Sequence, residues 1–170
     1  VGSVVRGADY DWGVRVCCAE GVEGAVKLYL AHPLALRHEI RKIELAFEEA
    51  TGLELINPFY DTNRKDIEPL DRGEVTTPLE YGNKLDPDVI VEGDLDMIDA
   101  ADGTVAYLDK TVASLGTHCE MWYTMTACKP VYVVSPNILY HPWVRYIIDH
   151  SHGQGFDDWL AFKAYICSSA

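Results

Sequence analysis

Two carboxylates stand in positions where a carboxylate can do chemistry. Along residues 87–101, Ile90, Asp94, Met97, Ile98 and Ala101 fall on one stripe by i, i+4, i+7 spacing, so an aspartate interrupts an apolar helix face. A buried carboxylate must be paired, hydrogen-bonded or kept protonated, and groups held in that way are often catalytic. A register one turn away would instead leave Asp94 in solvent with Glu92, Asp96 and Asp99. The second carboxylate is Glu120, at the end of the run Ser114-Leu115-Gly116-Thr117-His118-Cys119-Glu120, where a strand end leads into a helix expected from about Thr117. Free N–H groups and the helix dipole at such a junction favour an anion. An acid in the first turn of a helix is also ordinary capping, so type and place leave both readings of Glu120 open.

As a pair they have a defined use. Cleaving a glycosidic bond builds positive charge on the anomeric carbon, which an ionised carboxylate stabilises or attacks, while a second carboxyl protonates or orients the leaving group. Other candidates carry less. Cys119 has no oriented base, and His118 at a helix start is assigned no role. His150-Ser151-His152 lacks a third ligand at a usual spacing, so no metal is expected. Trp122, Tyr123, Trp143 and Trp159 read as core or subunit contacts, whereas Tyr60 ends a strand where a base would stack.

Alternating strands and helices must position these groups. Val26–Ala31, Leu53–Asn57, Gly103–Leu108 and Val131–Val134 have strand character. Between and after them, helices are expected over 37–50, 87–101, 117–127, 142–149 and 156–167. The first helix takes Ile40, Ile43, Phe47 and Ala50 as its apolar face and stops at Gly52, and the second helix opens on Asp86-Pro87. This order predicts a single α/β domain, a parallel sheet flanked by helices, over residues 26–170. Residues 1–25, broken by five glycines and without period, read as a loosely attached extension. Residues 58–86 read as a functional loop. In such sheets ligands lie beyond the carboxyl ends of the strands, here the loops 32–37, 58–64, 109–117 and 135–142.

Composition narrows the partners. A formal charge of −13 excludes a protein that follows a phosphate backbone, while one arginine and a few N–H groups still suffice for a single phosphate. Polymeric nucleic acid is therefore not expected. The absence of an 18-residue uncharged window and of a secretory pattern points to the cytoplasm and away from membranes. Five cysteines without a C-x-x-C pair read as free thiols.

Taken in order, several short pieces resemble the nucleoside 2-deoxyribosyltransferase-like superfamily, which includes base-exchanging transferases and 2'-deoxynucleoside 5'-phosphate N-hydrolases. The pieces are Tyr29-Leu30-Ala31-His32-Pro33, Asn57-Pro58-Phe59-Tyr60-Asp61, Glu92-Gly93-Asp94-Leu95, Asp102-Gly103-Thr104-Val105-Ala106, Ser114 to Met121 and Lys129-Pro130-Val131-Tyr132, spanning roughly residues 26–145. The resemblance implies a flavodoxin-like (Rossmann-like) fold, no cofactor or metal, and pairing as a homodimer or higher homo-oligomer. It makes Glu120 the catalytic glutamate and Asp94 the aspartate that serves the leaving base, with Tyr29 near the sugar. His32, Arg37, Tyr60, Asp61, Ser114, Gly116 and Thr117 complete the expected substrate contacts. Six residues before the glutamate the transferases resemble one another in having aspartate and the hydrolases serine in an S-x-G run; Ser114 thus favours a nucleoside 5'-monophosphate, cleaved to free base. The first loop, His32-Pro33-Leu34-Ala35-Leu36-Arg37, departs from the Ser- and Arg-containing loop of the hydrolases, and Arg37 is out of register with it. Base exchange and catalytically silent nucleotide binding are the alternative functions.

Overall fold

Alternation and β-rich composition in Val26–Ala31 produce β1 (Lys27–Ala31), whose Leu28 to Ala31 are all buried. Burial on both faces is the condition of a parallel strand covered by helices on each side. His32-Pro33 ends the strand, and a 3-10 turn (Leu34–Leu36) leads into α1 (Arg37–Thr51). Gly52 closes that helix at φ 71°, in the left-handed region that glycine enters without strain. β2 (Glu54–Ile56) follows. α2 (Pro87–Ala100) starts as expected, the Asp86 carboxylate accepting the Asp88 N–H at 3.0 Å with proline in the first turn. The remaining elements are β3 (Gly103–Tyr107), α3 (Leu115–Thr126), β4 (Val131–Val134), α4 (Pro142–Ser151), β5 (Gly155–Phe156) and α5 (Trp159–Ser169). The computed structural model describes residues 26–60, 69, 72–75, 77, 80 and 83–169; the extension expected at 1–25 and much of the loop at 58–86 lie outside them.

All strand pairs are parallel, in the order β2-β1-β3-β4-β5, which is the flavodoxin-like single-domain sheet. Side chains alternate between two cores. Leu28 and Leu30 pack with Phe47, Tyr132, Val134 and Phe162 on the α1 and α5 side, whereas Tyr29 and Ala31 pack with Ile98, Met121, Val133 and Ile147 on the other. The chain leaves β1 toward β2 and returns to β3 on β1's opposite side, so the strand order reverses between β1 and β3 and opens a crevice at their carboxyl ends. Val75, from the long loop, is buried against Leu34 and Phe59 beside that edge.

Two boundaries differ from expectation. The last helix starts at Trp159, since Gly155 and Phe156 pair with Val133 and Val134 as a fifth strand. Two residues have no period to read, and the Asp158 carboxylate, accepting the Ala161 N–H at 2.8 Å, supplies the helix start. The other is α3, which begins at Leu115. Among the described residues no helix is long and apolar enough to cross a membrane.

Lys129 joins the layers. Its ammonium donates to the carbonyls of Ile98, Asp99 and Ala101 at 2.9, 2.7 and 2.8 Å, covering the C-terminus of α2, where the helix dipole also favours a cation. Lys129→Met keeps the stem and removes the donors; it is expected to lower unfolding free energy by about 2 kcal/mol in denaturant titrations.

Candidate active site

Glu120 occupies the sixth position of α3 rather than its first turn, because the helix starts at Leu115. Capping therefore does not explain it. The Tyr29 hydroxyl, rising from β1 at the strand-order reversal, donates to Glu120 Oε1 at 3.0 Å, and the Tyr29 ring is wholly buried beneath. A donor fixed in the sheet thus holds the carboxylate in one direction. The helix turn under it is held as well. Thr124 donates its hydroxyl to the Glu120 carbonyl (2.9 Å) and must then accept from Thr104 of β3, whose hydroxyl lies 2.7 Å away; both threonines are buried.

Asp94 lies on the half-buried stripe of α2. Ile98 and Ala101 are buried on that face and Met97 packs against the core, while Glu92, Asp96 and Asp99 are exposed, so the register that would have solvated Asp94 does not occur. α2 packs along α3, and Tyr123 of α3 ties them by donating to the Asp99 carboxylate at 3.1 Å.

Ser114 stands at the N-cap of α3, and its side chain makes no capping bond. The first helical hydrogen bond is from the His118 N–H to the Ser114 carbonyl at 3.1 Å, which leaves the N–H groups of Leu115, Gly116 and Thr117 outside the helix ladder. His118 Nδ1 donates to the same carbonyl at 2.8 Å, with the Ser114 hydroxyl 3.3 Å from that nitrogen, so His118 steadies the turn. Thr117 is buried beneath the turn, whereas a methyl group placed on Gly116 would meet nothing within 4 Å. The backbone at Gly116 is therefore open to approach.

At the β1 and β2 ends the expected contacts separate. Arg37 begins α1, half-buried, and makes no ion pair with any described residue. Tyr60 shares a hydrogen bond with His38 Nδ1 (2.9 Å), and the Arg41 guanidinium lies 5.0 Å from its ring centroid. His32 is buried on the α1 side, its Nε2 3.2 Å from Asn57 Oδ1 and its Nδ1 3.2 Å from the Pro33 carbonyl. Burial brings its imidazole down to about 4, so the ring is neutral at pH 7, and its two contacts bridge the segments that follow β1 and β2. Asp61 lies outside the described residues.

A further fixture was not singled out from the sequence. Asp109, just beyond β3, accepts the Thr111 N–H (2.8 Å) and hydroxyl (2.7 Å), and Asn137 of the loop after β4 donates to it at 3.3 Å while its own Oδ1 accepts the Lys110 N–H at 3.0 Å. The Thr111 and Asn137 bonds lower the Asp109 carboxyl below its ordinary range and tie two ligand-edge loops together. An Asp two residues before a Thr at a strand end is the signal that would have found it. The tryptophans read as core or subunit contacts divide: Trp159 packs on the sheet, whereas Trp122 and Trp143 are 40% and 61% exposed. They line an apolar groove of about 550 Å³ to which α2 contributes Leu95, α3 His118, Cys119 and Trp122, and α4 Trp143 and Ile147.

Because Gly116 is helical and unobstructed, Gly116→Ala is expected to keep or raise stability by about 1 kcal/mol and still weaken binding of an anionic ligand. A fall in melting temperature would show instead that the glycine serves the fold.

In fold the chain is similar to the Clostridium botulinum CMP N-glycosidase BcmB, with TM-score 0.55 and 17% identity over 85% of this chain and 99% of that chain. It is likewise similar to a conserved protein from Enterococcus faecalis V583, with TM-score 0.57 and 17% identity over 86% and 100% of the respective chains. A comparison with curated protein sequences finds no match. The family model described as nucleoside 2-deoxyribosyltransferase matches residues 28–155, from β1 to the first residue of β5. The Tyr29–Glu120 pair, the α2 stripe and the Ser114 turn all fall inside that match, and the chain belongs to the nucleoside 2-deoxyribosyltransferase family.

Proposed function

We propose that the chain cleaves the N-glycosidic bond of a nucleoside 5'-monophosphate and releases the free base. The observation that carries this reading is Glu120 held by Tyr29 beside the crevice where the strand order reverses. Heterolysis leaves the bonding pair on the base nitrogen and positive charge on C1' of the sugar. The Glu120 carboxylate stabilises that charge or bonds to C1', Asp94 orients or protonates the departing base, and water adds to C1' to give the sugar phosphate. No cofactor enters these steps.

The phosphate reading is supported by the Ser114 hydroxyl and the N–H groups from Leu115 to Thr117, with Arg37, at the start of α1, as the proposed cation. Tyr60 and Asp61 belong to the same proposal as contacts to the nucleoside. It is also supported by fold likeness to a protein named as a CMP N-glycosidase. Family membership favours a second reading, transfer of the sugar to an acceptor base, which differs only in what takes C1' last. We propose the cytoplasm as its compartment.

The test is a panel of ribo- and deoxynucleosides and their 5'-monophosphates, each with and without a second base, followed by chromatography. Base release from a monophosphate is expected, lost roughly a thousandfold in Glu120→Ala. Exchange only with an added base would make the enzyme a transferase, and intact substrates that nevertheless bind would leave a nucleotide-binding module. Arg37→Gln is expected to raise KM for the monophosphate about tenfold and to leave the nucleoside unaffected.

The homo-oligomer expected from the resemblance is assigned to α3 and α4. Trp122 stacks with Tyr146 (centroids 6.1 Å) and tilts against Trp143 (5.8 Å), forming an exposed aromatic face. Light scattering should give a multiple of the 19.0 kDa chain mass, reduced to the monomer in Trp143→Glu. A wild-type monomer would end that assignment.

A further inference from the structure

Glu44 is the most deeply buried acid among the described residues, with 1% of its surface exposed, and nothing in the proposed chemistry uses it. It lies inside α1. The Arg41 guanidinium donates to its Oε1, and Asn57, immediately after β2, donates Nδ2–H to its Oε2 at 2.5 Å. Desolvation raises the Glu44 carboxyl above its ordinary range, against the lowering effect of both partners. An apolar side chain in such a place commonly serves stability as well as a buried ion pair does. What the carboxylate adds is direction.

An asparagine amide has two unlike ends. With Nδ2 committed to Glu44, Asn57 must turn Oδ1 the other way, where it accepts the Phe59 N–H at 3.1 Å and meets His32 Nε2 at 3.2 Å. The neutral His32 ring has one N–H, and two acceptors compete for it, Asn57 Oδ1 at Nε2 and the Pro33 carbonyl at Nδ1. An ionised Glu44, together with the Phe59 N–H, keeps Oδ1 facing Nε2, since the amide cannot reverse without setting its oxygen against the carboxylate; the reversed amide would offer Nε2 a donor and leave the ring N–H to Pro33. The loops after β1 and β2 are thereby joined from beneath at the ligand edge. Arg41 extends the same support to Tyr60, whose ring it covers.

We propose that Glu44 is a positioning residue which, through Asn57, fixes the tautomer of His32 and holds the two loops that flank the crevice. The inference rests on that crevice being the ligand site, but its first readout does not require turnover. In ¹⁵N-labelled wild-type protein the His32 ring should carry its proton on Nε2. Glu44→Gln retains an acceptor for Asn57 and should keep that tautomer, whereas Glu44→Leu should release the amide and move the proton to Nδ1. Hydrogen exchange over 32–36 and 57–60 should rise in Glu44→Leu and not in Glu49→Gln, an exposed control on the same helix.

On a monophosphate the wild type cleaves, Glu44→Leu is expected to raise KM about tenfold with kcat within about threefold, and Glu44→Gln to restore it. Should Glu44→Leu fail to fold, Asn57→Ala cuts the same chain at its middle and should give the same tautomer and KM changes. A wild-type Nδ1–H tautomer, or a ring and loops that do not respond to either cut, would overturn the proposal; so would a shifted tautomer with KM unchanged. A wild type inactive on every substrate would refute the glycosidase reading separately, leaving the tautomer and exchange results to decide this one.

Discussion

Parallel strands cannot be joined by a hairpin, and this constraint organises the molecule. Every return to the sheet requires a crossover, the crossovers here are helices on both faces, and the strands between them must be apolar on both sides, as Leu28–Ala31 and Val131–Val134 are. The same constraint gathers the loops that leave β1, β2, β3 and β4 at one edge. Where the order reverses, between β1 and β3, two of those loops diverge instead of packing together. Tyr29 lies in β1 beside that gap, and α3, entered from the loop after β3, brings Glu120 to its hydroxyl. The carboxylate's placement is thus a consequence of topology before it is one of local sequence.

Polar groups at this edge are held by dedicated partners. Asp109 and Asn137 bind one pair of loops and Glu44, Asn57 and His32 another, and deeper in the sheet, near the amino end of β3, the Thr104–Thr124 hydroxyl pair seats the helix turn that carries Glu120. Each such fixture requires desolvating polar groups, an outlay that an apolar core would avoid. The Asp109–Asn137 and Glu44–Asn57–His32 fixtures lie at the carboxyl ends of the strands, while the layers on both faces are filled largely by Val, Leu, Ile and Phe, the pattern of a scaffold that holds loops in fixed positions.

Much of this was legible. Alternation and helical spacing gave four of five strands, and Asp86-Pro87 and Gly52 marked their helix ends because capping and left-handed backbone are local properties. The interruption of an apolar stripe correctly placed Asp94 on the half-buried face of α2. What was missed had either no period or the wrong one. β5 is two residues long. On α1 apolar spacing points to Ile43 and Ala50, but Ile43 is only partly buried and Ala50 is exposed, and the buried line runs Ile40, Glu44, Phe47. The i, i+4, i+7 rule that singled out Asp94 applies equally to Glu44.

That parallel separates two uses of one sequence signal. An acid on an apolar stripe says that a carboxylate is withdrawn from water; it does not say what receives it. Glu44 is received by Arg41 and Asn57 within the α1 layer, and its influence on the crevice passes through other side chains. Glu120 is received by a phenol from the central strand, at a reversal of strand order, with an uncapped helix start a turn and a half away. A burial pattern along a helix cannot tell these environments apart, because the difference lies in which strand ends stand opposite. Only the order of strands in the sheet supplies that: it sets Glu120, rather than the more deeply buried Glu44, beside the crevice between β1 and β3, and the proposed chemistry rests on that placement.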